Sequence, residues 1–168
     1  VIDSEGYREN VGIIVGNAAG KVLWCRRTGQ DAWQFPQGGI EEEETPEQAL
    51  YRELGEETGL SADQVVLLGR TRGWLKYKIP QQYIRRDHNG FCIGQKQIWF
   101  MLRLADVTQP DFPGLMQGSF NPEFEEYAWV DYWHPLKRVI AFKRNVYQQA
   151  LSELEPLLFH NRPQTAAQ

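Results

Sequence analysis

Glu53, Glu56 and Glu57 crowd three carboxylates along one side of a single predicted helix, within the stretch GGIEEEETPEQALYRELGEETGL at 38–60. Such a cluster repels itself unless positive charge sits beside it. Carboxylates are hard oxygen ligands, so a cluster of this kind suits a divalent cation, and a divalent cation suits a phosphate chain. At about 100° per residue, Ala49, Leu50 and Leu54 define the side of the helix that should face the core. Glu53 and Glu57 fall within that arc and Glu56 lies at its edge. A desolvated carboxylate is unfavourable there unless it is paired or coordinating. The plain alternative is an ordinary charged helix in which Arg52 and other bases form ion pairs.

The helix that must position these groups has well-marked ends. Thr45 is a good N-cap, Pro46 suits the first helical position, Gln48 follows the cap by three residues and Gly59 is a ready stop, which predicts a helix over 46–58. Before it, the apolar run at 11–15, the turn-like 16–20 and the extended 21–26 read as a hairpin. Residues 33–36 form a short extended piece that Gly38 and Gly39 are expected to bend sharply. Strands are predicted at 65–71, 74–77, 97–104 and 127–130, with a Pro- and Gly-marked loop over 109–121. A second helix over 136–154 carries Val139, Ile140, Val146, Tyr147, Leu151 and Leu154 at helical spacing.

A chain of 168 residues with this apolar content fits one domain, with neither an internal repeat nor a second domain. The domain is assigned to 6–155, and 156–168, without periodicity, to a disordered tail. The formal net charge of -4 argues against non-specific nucleic-acid binding by the whole surface. The charges are nevertheless segregated. Residues 41–57 hold eight acids and one base, whereas 70–96 hold seven Lys or Arg and one acid, Asp87, so an acidic pocket beside a basic wall is expected. Cys25 and Cys92 have no metal-type spacing and suit buried free thiols in a reducing cytoplasm. No apolar run is long enough to span a membrane, and 11–15 is too short for a signal-peptide core, so a soluble, cytoplasmic protein is expected, a monomer by default.

The stretch from Gly38 to Leu60 satisfies Gx5Ex7REUxEExGU, where U is a bulky aliphatic: Gly38, Glu44, Arg52, Glu53, Leu54, Glu56, Glu57, Gly59 and Leu60 all fit. This resembles the Nudix box. The resemblance implies an α/β/α sandwich around a central mixed sheet, and hydrolysis of a nucleoside diphosphate linked to another group. It further implies that Glu53, Glu56 and Glu57 bind Mg²⁺ or Mn²⁺, with the Gly38 carbonyl completing the shell. Arg52 and Glu44 would brace the helix and Gly39 would help shape the loop. The box does not name the general base; Glu123, in NPEFEEYAWV, is the candidate by resemblance, with Glu56 or Glu53 as alternatives.

Outside the box, GYRENVG (6–12), WQFPQGG (33–39), GWLKYKIP (73–80), GQKQIWF (94–100), PEFEEYAWV (122–130) and FKRNVY (142–147) resemble one branch of the family. That branch contains the bacterial RNA pyrophosphohydrolases and the asymmetrical dinucleoside polyphosphate hydrolases. A triphosphate at an RNA 5′ end needs cations for its phosphates and flat surfaces for unstacked bases. The resemblance suggests Arg8 and Lys143 as phosphate contacts, Arg27 with Phe142 as a sandwich for a base near the 5′ end, and Tyr77 and Gln95 as further lining. Lys76, Lys78, Arg85 and Arg86 are candidates for steering the RNA body.

The leading expectation is therefore conversion of 5′-triphosphorylated or diphosphorylated RNA to 5′-monophosphate ends, which would initiate mRNA decay. Hydrolysis of dinucleoside tetraphosphates is the alternative. A non-catalytic nucleotide-binding module fits less well, because all three carboxylates are present. The long loop at 106–120 is a departure from the expected pattern, and its length bears on where Glu123 arrives.

Overall fold

In the computed structural model, which describes residues 1–84, 86–87, 90–106, 108–112 and 122–159, the apolar run at 11–15 is the middle of a longer strand, β1 (Tyr7–Gly16). β2 (Val22–Arg27) turns back along it with Gly16 opposite Val22. β3 (Trp33–Gln34) then pairs with β2 and β4 (Gln37–Gly39) with β1, so the chain changes partner strand at Phe35 and Pro36. The sharp bend expected at Gly38 and Gly39 is absent, because both glycines lie extended in β4. Glycine is needed at Gly38 for close approach: a Cβ there would fall on the carboxyl group of Glu53.

The remaining strands are β5 (Val65–Arg70), β6 (Leu75–Lys78), the short pair β7 (Arg86–Asp87) and β8 (Gly90–Phe91), β9 (Gly94–Leu104) and β10 (Phe124–Val130). The main sheet runs β10-β2-β1-β9-β5, with β6 also on β9. β1 and β9 are parallel and the other pairs antiparallel, so the sheet is mixed. A parallel pair requires a long crossover, and α1 (Pro46–Thr58) lies in it.

Alternation along the central strands buries both faces of the sheet. Val11, Ile13, Val15, Ile98, Phe100 and Leu102 meet Ala49, Leu50 and Leu54 of α1 on one face. Ile14, Trp99 and Met101 meet Val146, Tyr147, Ala150, Leu151 and Leu154 on the other. Helices on both faces make the α/β/α sandwich. Cys25 and Cys92 are buried and unpaired. Among the described residues no helix is long and apolar enough to cross a membrane.

The single helix expected over 136–154 is broken. It consists of α2 (His134–Arg138), a 3-10 turn (Ala141–Lys143) and α3 (Arg144–Phe159). The Val139 N–H closes α2 on the Pro135 carbonyl at 3.0 Å, after which Val139 and Ile140 turn extended, with ψ of 151° and 140°. Two successive β-branched residues tolerate that conformation well. The break delivers Phe142 and Lys143 from a turn at the start of α3, where the continuous pattern had placed them on a helix face. α3 also continues through Pro156, so the first residues of the expected tail are helical. The rest of that tail, residue 85 and most of the loop at 106–120 lie outside the described residues.

Candidate active site

α1 is capped as its sequence requires. The Thr45 hydroxyl accepts from the Gln48 N–H at 3.1 Å, the Gln48 side chain accepts from the Thr45 N–H at 2.9 Å, and Gly59 ends the helix with φ of 78°. Arg52 ties the helix to the preceding loop. Its Nε and Nη2 donate to the two oxygens of Glu44 at 2.8 and 2.9 Å, a bidentate fork. Nη2 also donates to the Gly39 carbonyl at 2.8 Å, while Nη1 donates to Glu53 at 2.8 Å and to Glu56 at 3.4 Å. The fork holds the Glu44 carboxyl below the usual carboxylate range. These partners raise the guanidinium pKa further, so Arg52 stays charged.

One Arg does not neutralise the cluster. Glu53 and Glu57 are both buried and repel each other, and among the described residues Oε2 of Glu57 has no partner. Burial, then the Glu53 and Glu123 carboxylates, push the Glu57 carboxyl well above its ordinary range. Burial raises that of Glu53 too, against the pull of Arg52. Glu56, one turn away from Arg52, is exposed. Among the described residues no three His, Cys, Asp or Glu side chains form a ready-made ion cage. An orphaned, buried carboxylate oxygen beside a second carboxylate nevertheless fits a hard divalent cation, which would relieve both the repulsion and the missing partner.

The glycine at Gly38 is what allows this pair to lie against β4. Gly38→Ala is expected to force Glu53 aside, destabilising the fold by roughly 1–3 kcal/mol and lowering metal-dependent turnover at least tenfold. Thermal melts and initial rates check this, and wild-type turnover in the variant would remove Gly38 from the site.

Neighbouring residues of an extended strand face opposite sides. Gly38 stands opposite Val11, on the α1 side, and Gln37 opposite Gly12, on the α3 side. Gln37 is the residue that sequence reasoning missed. Its Oε1 accepts from Lys143 Nζ at 3.1 Å, and its Nε2 donates to Gln95 Oε1 at 3.2 Å and to the Tyr77 hydroxyl at 3.4 Å. Period-two alternation starting at Gly38 is the signal that would have found it.

Around Gln37 the structure gathers several of the predicted substrate residues. Arg8, Gln95 and Tyr77 are in register across β1, β9 and β6, so their side chains share one face. Lys143 is buried, and its ammonium lies 5.9 Å over the Tyr77 ring and 3.5 Å from Gln34 Oε1. Burial first, and then the Arg27 charge, bring its pKa down to about 8. Burial pushes the Tyr77 hydroxyl up to about 12. The Phe142 ring sits 5.7 Å from that of Tyr77.

Arg27 and Glu123 meet each other, at 3.5 Å between Nη2 and Oε1. Glu123 is anchored through its carbonyl, which accepts from the Thr28 N–H at 3.0 Å. Arg27 Nε is buried without a partner, and Arg27 makes no cation–π contact with Phe142 among the described residues.

Two cations of the basic stretch over 70–96 are paired with acids. Lys96 pairs with Asp3 at 2.8 Å and Glu9 at 3.7 Å, and Lys76 with Glu5 at 3.7 Å. The ammonium of Lys96 holds the Asp3 carboxyl down at about 2. The acids come from the N-terminal segment, so these two lysines are offset in space by residues distant in sequence. Arg85 lies outside the described residues, as does the side chain of Arg86.

A family model for the NUDIX domain matches residues 6–150. An RNA pyrophosphohydrolase of Alkalilimnicola ehrlichii is 55% identical, over 95% of this chain and 86% of its own length. Another, from Pseudomonas putida, is 56% identical over 94% of this chain and 98% of its own. Among solved structures, the E. coli dihydroneopterin triphosphate pyrophosphohydrolase has a TM-score of 0.67 at 23% identity, covering 88% of this chain and 98% of that one, a likeness of fold. With the box carboxylates gathered on α1, a family model spanning most of the chain and relatives similar over nearly its whole length, this chain belongs to the Nudix hydrolase family.

Proposed function

We propose that this chain is a metal-dependent RNA pyrophosphohydrolase that converts 5′-triphosphorylated or diphosphorylated RNA ends to 5′-monophosphate ends, and so prepares messages for decay. The observation that carries the reading is the placement of Lys143. A buried cation bonded to Gln37 lies near enough to the buried Glu57 carboxylate to be drawn by its charge, with aromatic rings beside it. Phosphates and a base are thus addressed from the two faces of one short strand. The relatives that bear the name RNA pyrophosphohydrolase match over the same length.

In this reading residues 6–155 are the working unit, acting as a monomer, and Glu53, Glu56, Glu57 and the Gly38 carbonyl hold Mg²⁺ or Mn²⁺. When bound, such an ion neutralises phosphate charge and makes an attacking water more acidic. Arg52 keeps Glu53 and the Gly39 carbonyl in place. Lys143 and Arg8 hold phosphate oxygens, Gln95 and Tyr77 line their side of the site, and Arg27 and Phe142 clamp a base. Glu123 takes the proton of the attacking water once the base clamp has drawn Arg27 away from it, with Glu56 or Glu53 the alternative bases.

The test compares initial rates on 5′-triphosphate RNA, 5′-diphosphate RNA and diadenosine tetraphosphate in one Mg²⁺ buffer. The RNAs are expected to be the better substrates; a clear preference for the dinucleotide would assign the chain to dinucleoside polyphosphate hydrolysis. Absence of any metal-dependent phosphate release would leave only a binding module. Phe142→Ala is expected to raise KM for RNA by roughly 5- to 100-fold, the value of one base–aromatic stack, with an unchanged circular dichroism spectrum. An unaltered KM removes the clamp.

A further inference from the structure

Phe142 is not the last ring in its row. Tyr77, Phe142 and Tyr83 follow one another with centroid separations of 5.7 and 6.0 Å and interplanar angles of 42° and 34°. Tyr77, at the inner end, is buried beneath the Lys143 ammonium and held by Gln37. Tyr83, at the outer end, is 54% exposed. The row therefore leads from the cation assigned to the phosphates outward to solvent.

Tyr83 is presented on a short hydrogen-bonded turn. It ends the 3-10 turn Gln81–Tyr83, which Pro80 enters with φ of −53°. The Tyr83 N–H donates to the Pro80 carbonyl at 2.8 Å and the Ile84 N–H to that of Gln81 at 3.2 Å. The Ile79 N–H, just before the turn, donates to the Ile93 carbonyl at 2.9 Å and fixes its base. Phe142 packs against the α3-side core, whereas Tyr83 belongs to neither core cluster. Its ring contact is with Phe142 alone among the described residues. Packing thus gives this ring little to do.

Resting on the RNA reading above, we propose that Tyr83 is a second stacking residue, which takes the unpaired nucleobase immediately downstream of the one held at Phe142. Single-stranded RNA is held by successive aromatic faces, and such stacking tolerates any base because every base has a π-face. A tyrosine suits the wet end of the row, since its hydroxyl stays in water while its ring is covered. The subsite extends the footprint on the RNA and is not used by a substrate too short to reach it.

The test uses triphosphorylated hairpin RNAs with single-stranded 5′ leaders of two and of four nucleotides, together with diadenosine tetraphosphate. Wild type, Tyr83→Ala and Tyr83→Phe are compared on each. Tyr83→Ala is expected to raise KM roughly fivefold on the longer leader, the lower end of what one base–aromatic stack provides. Its kcat, its KM on the shorter leader and its behaviour on the dinucleotide should match wild type. Tyr83→Phe should stay within about twofold throughout, because the ring carries the contact. An unchanged KM on the longer leader, an equal rise on both leaders, an effect confined to the dinucleotide, or a Tyr83→Phe variant as impaired as Tyr83→Ala would each overturn the proposal. If wild type hydrolyses the RNAs and Tyr83→Ala is indifferent, this subsite alone is lost. If wild type hydrolyses none of them, the RNA reading fails and the subsite with it.

Discussion

Glu57→Gln is expected to abolish hydrolysis and, at the same time, to stabilise the metal-free protein. The carboxylate of Glu57 is buried, one of its oxygens has no partner among the described residues, and the charge of Glu53 acts on it. Its folded-state pKa is raised above the ordinary carboxylate value, chiefly by burial. As pH rises from that ordinary value, the unfolded chain gives up its proton first and the folded chain holds it longer. The folded state then binds more protons, so stability falls with pH through this window and the loss persists above the folded pKa. Glutamine keeps the shape, removes the charge and offers Glu53 a donor.

A gain of about 1 kcal/mol would raise the melting temperature by roughly 2–4 °C for a chain of this size. Turnover should drop at least a hundredfold, because a cation site that has lost a charge no longer holds its ion. Mg²⁺ should raise the melting temperature of wild type by mass action and leave the variant unmoved. Glu53→Gln should lose activity as severely but gain less stability, since Glu53 already accepts from Arg52 at 2.8 Å. Equal Mg²⁺ stabilisation of wild type and Glu57→Gln, or turnover within a few fold, would remove the metal site from α1.

The carboxylate half of the candidate site was legible because it is local. The Thr45 cap, the Gly59 stop and the spacing of Arg52, Glu53 and Glu57 all lie within one helix and its flanks, where period and capping speak directly. The half around Gln37 and Lys143 is built from strands and turns far apart in the chain. Gln37 shows why this half was harder: alternation from Gly38 would put it on the opposite face, but its partners Gln95 and Lys143 come from distant elements and meet it only in the folded chain. The break before Phe142 was hidden for another reason. Apolar spacing continued through Val139 and Ile140, and only the closure of α2 on Pro135 ends that helix. Lys76 and Lys96 show a third limit, because Asp3, Glu5 and Glu9 lie beside them in space and not in sequence.

The same distant assembly makes Lys143 the most sensitive cation in the site. Lys143→Met is expected to lower kcat/KM roughly 10- to 100-fold, the worth of a charge-assisted hydrogen bond to phosphate. Methionine keeps most of the aliphatic stem of this buried side chain and removes the ammonium that meets Tyr77, Gln34 and Gln37, so the circular dichroism spectrum should not change. The pH profile separates loss of charge from loss of packing. The wild-type ammonium, its pKa lowered to about 8 by burial and by Arg27, gives up its proton in free enzyme as pH rises through that value. Wild-type kcat/KM should therefore fall above pH 8, whereas kcat stays flatter because bound phosphates restore the proton. Stability runs the other way. Between about 8 and the ordinary lysine value near 10.4, the unfolded chain binds the extra proton, so the fold gains stability as pH climbs through that window. The variant should lack both the alkaline fall in kcat/KM and Lys143's share of that gain. A variant that keeps the alkaline fall would assign it to another group and leave Lys143 a packing residue.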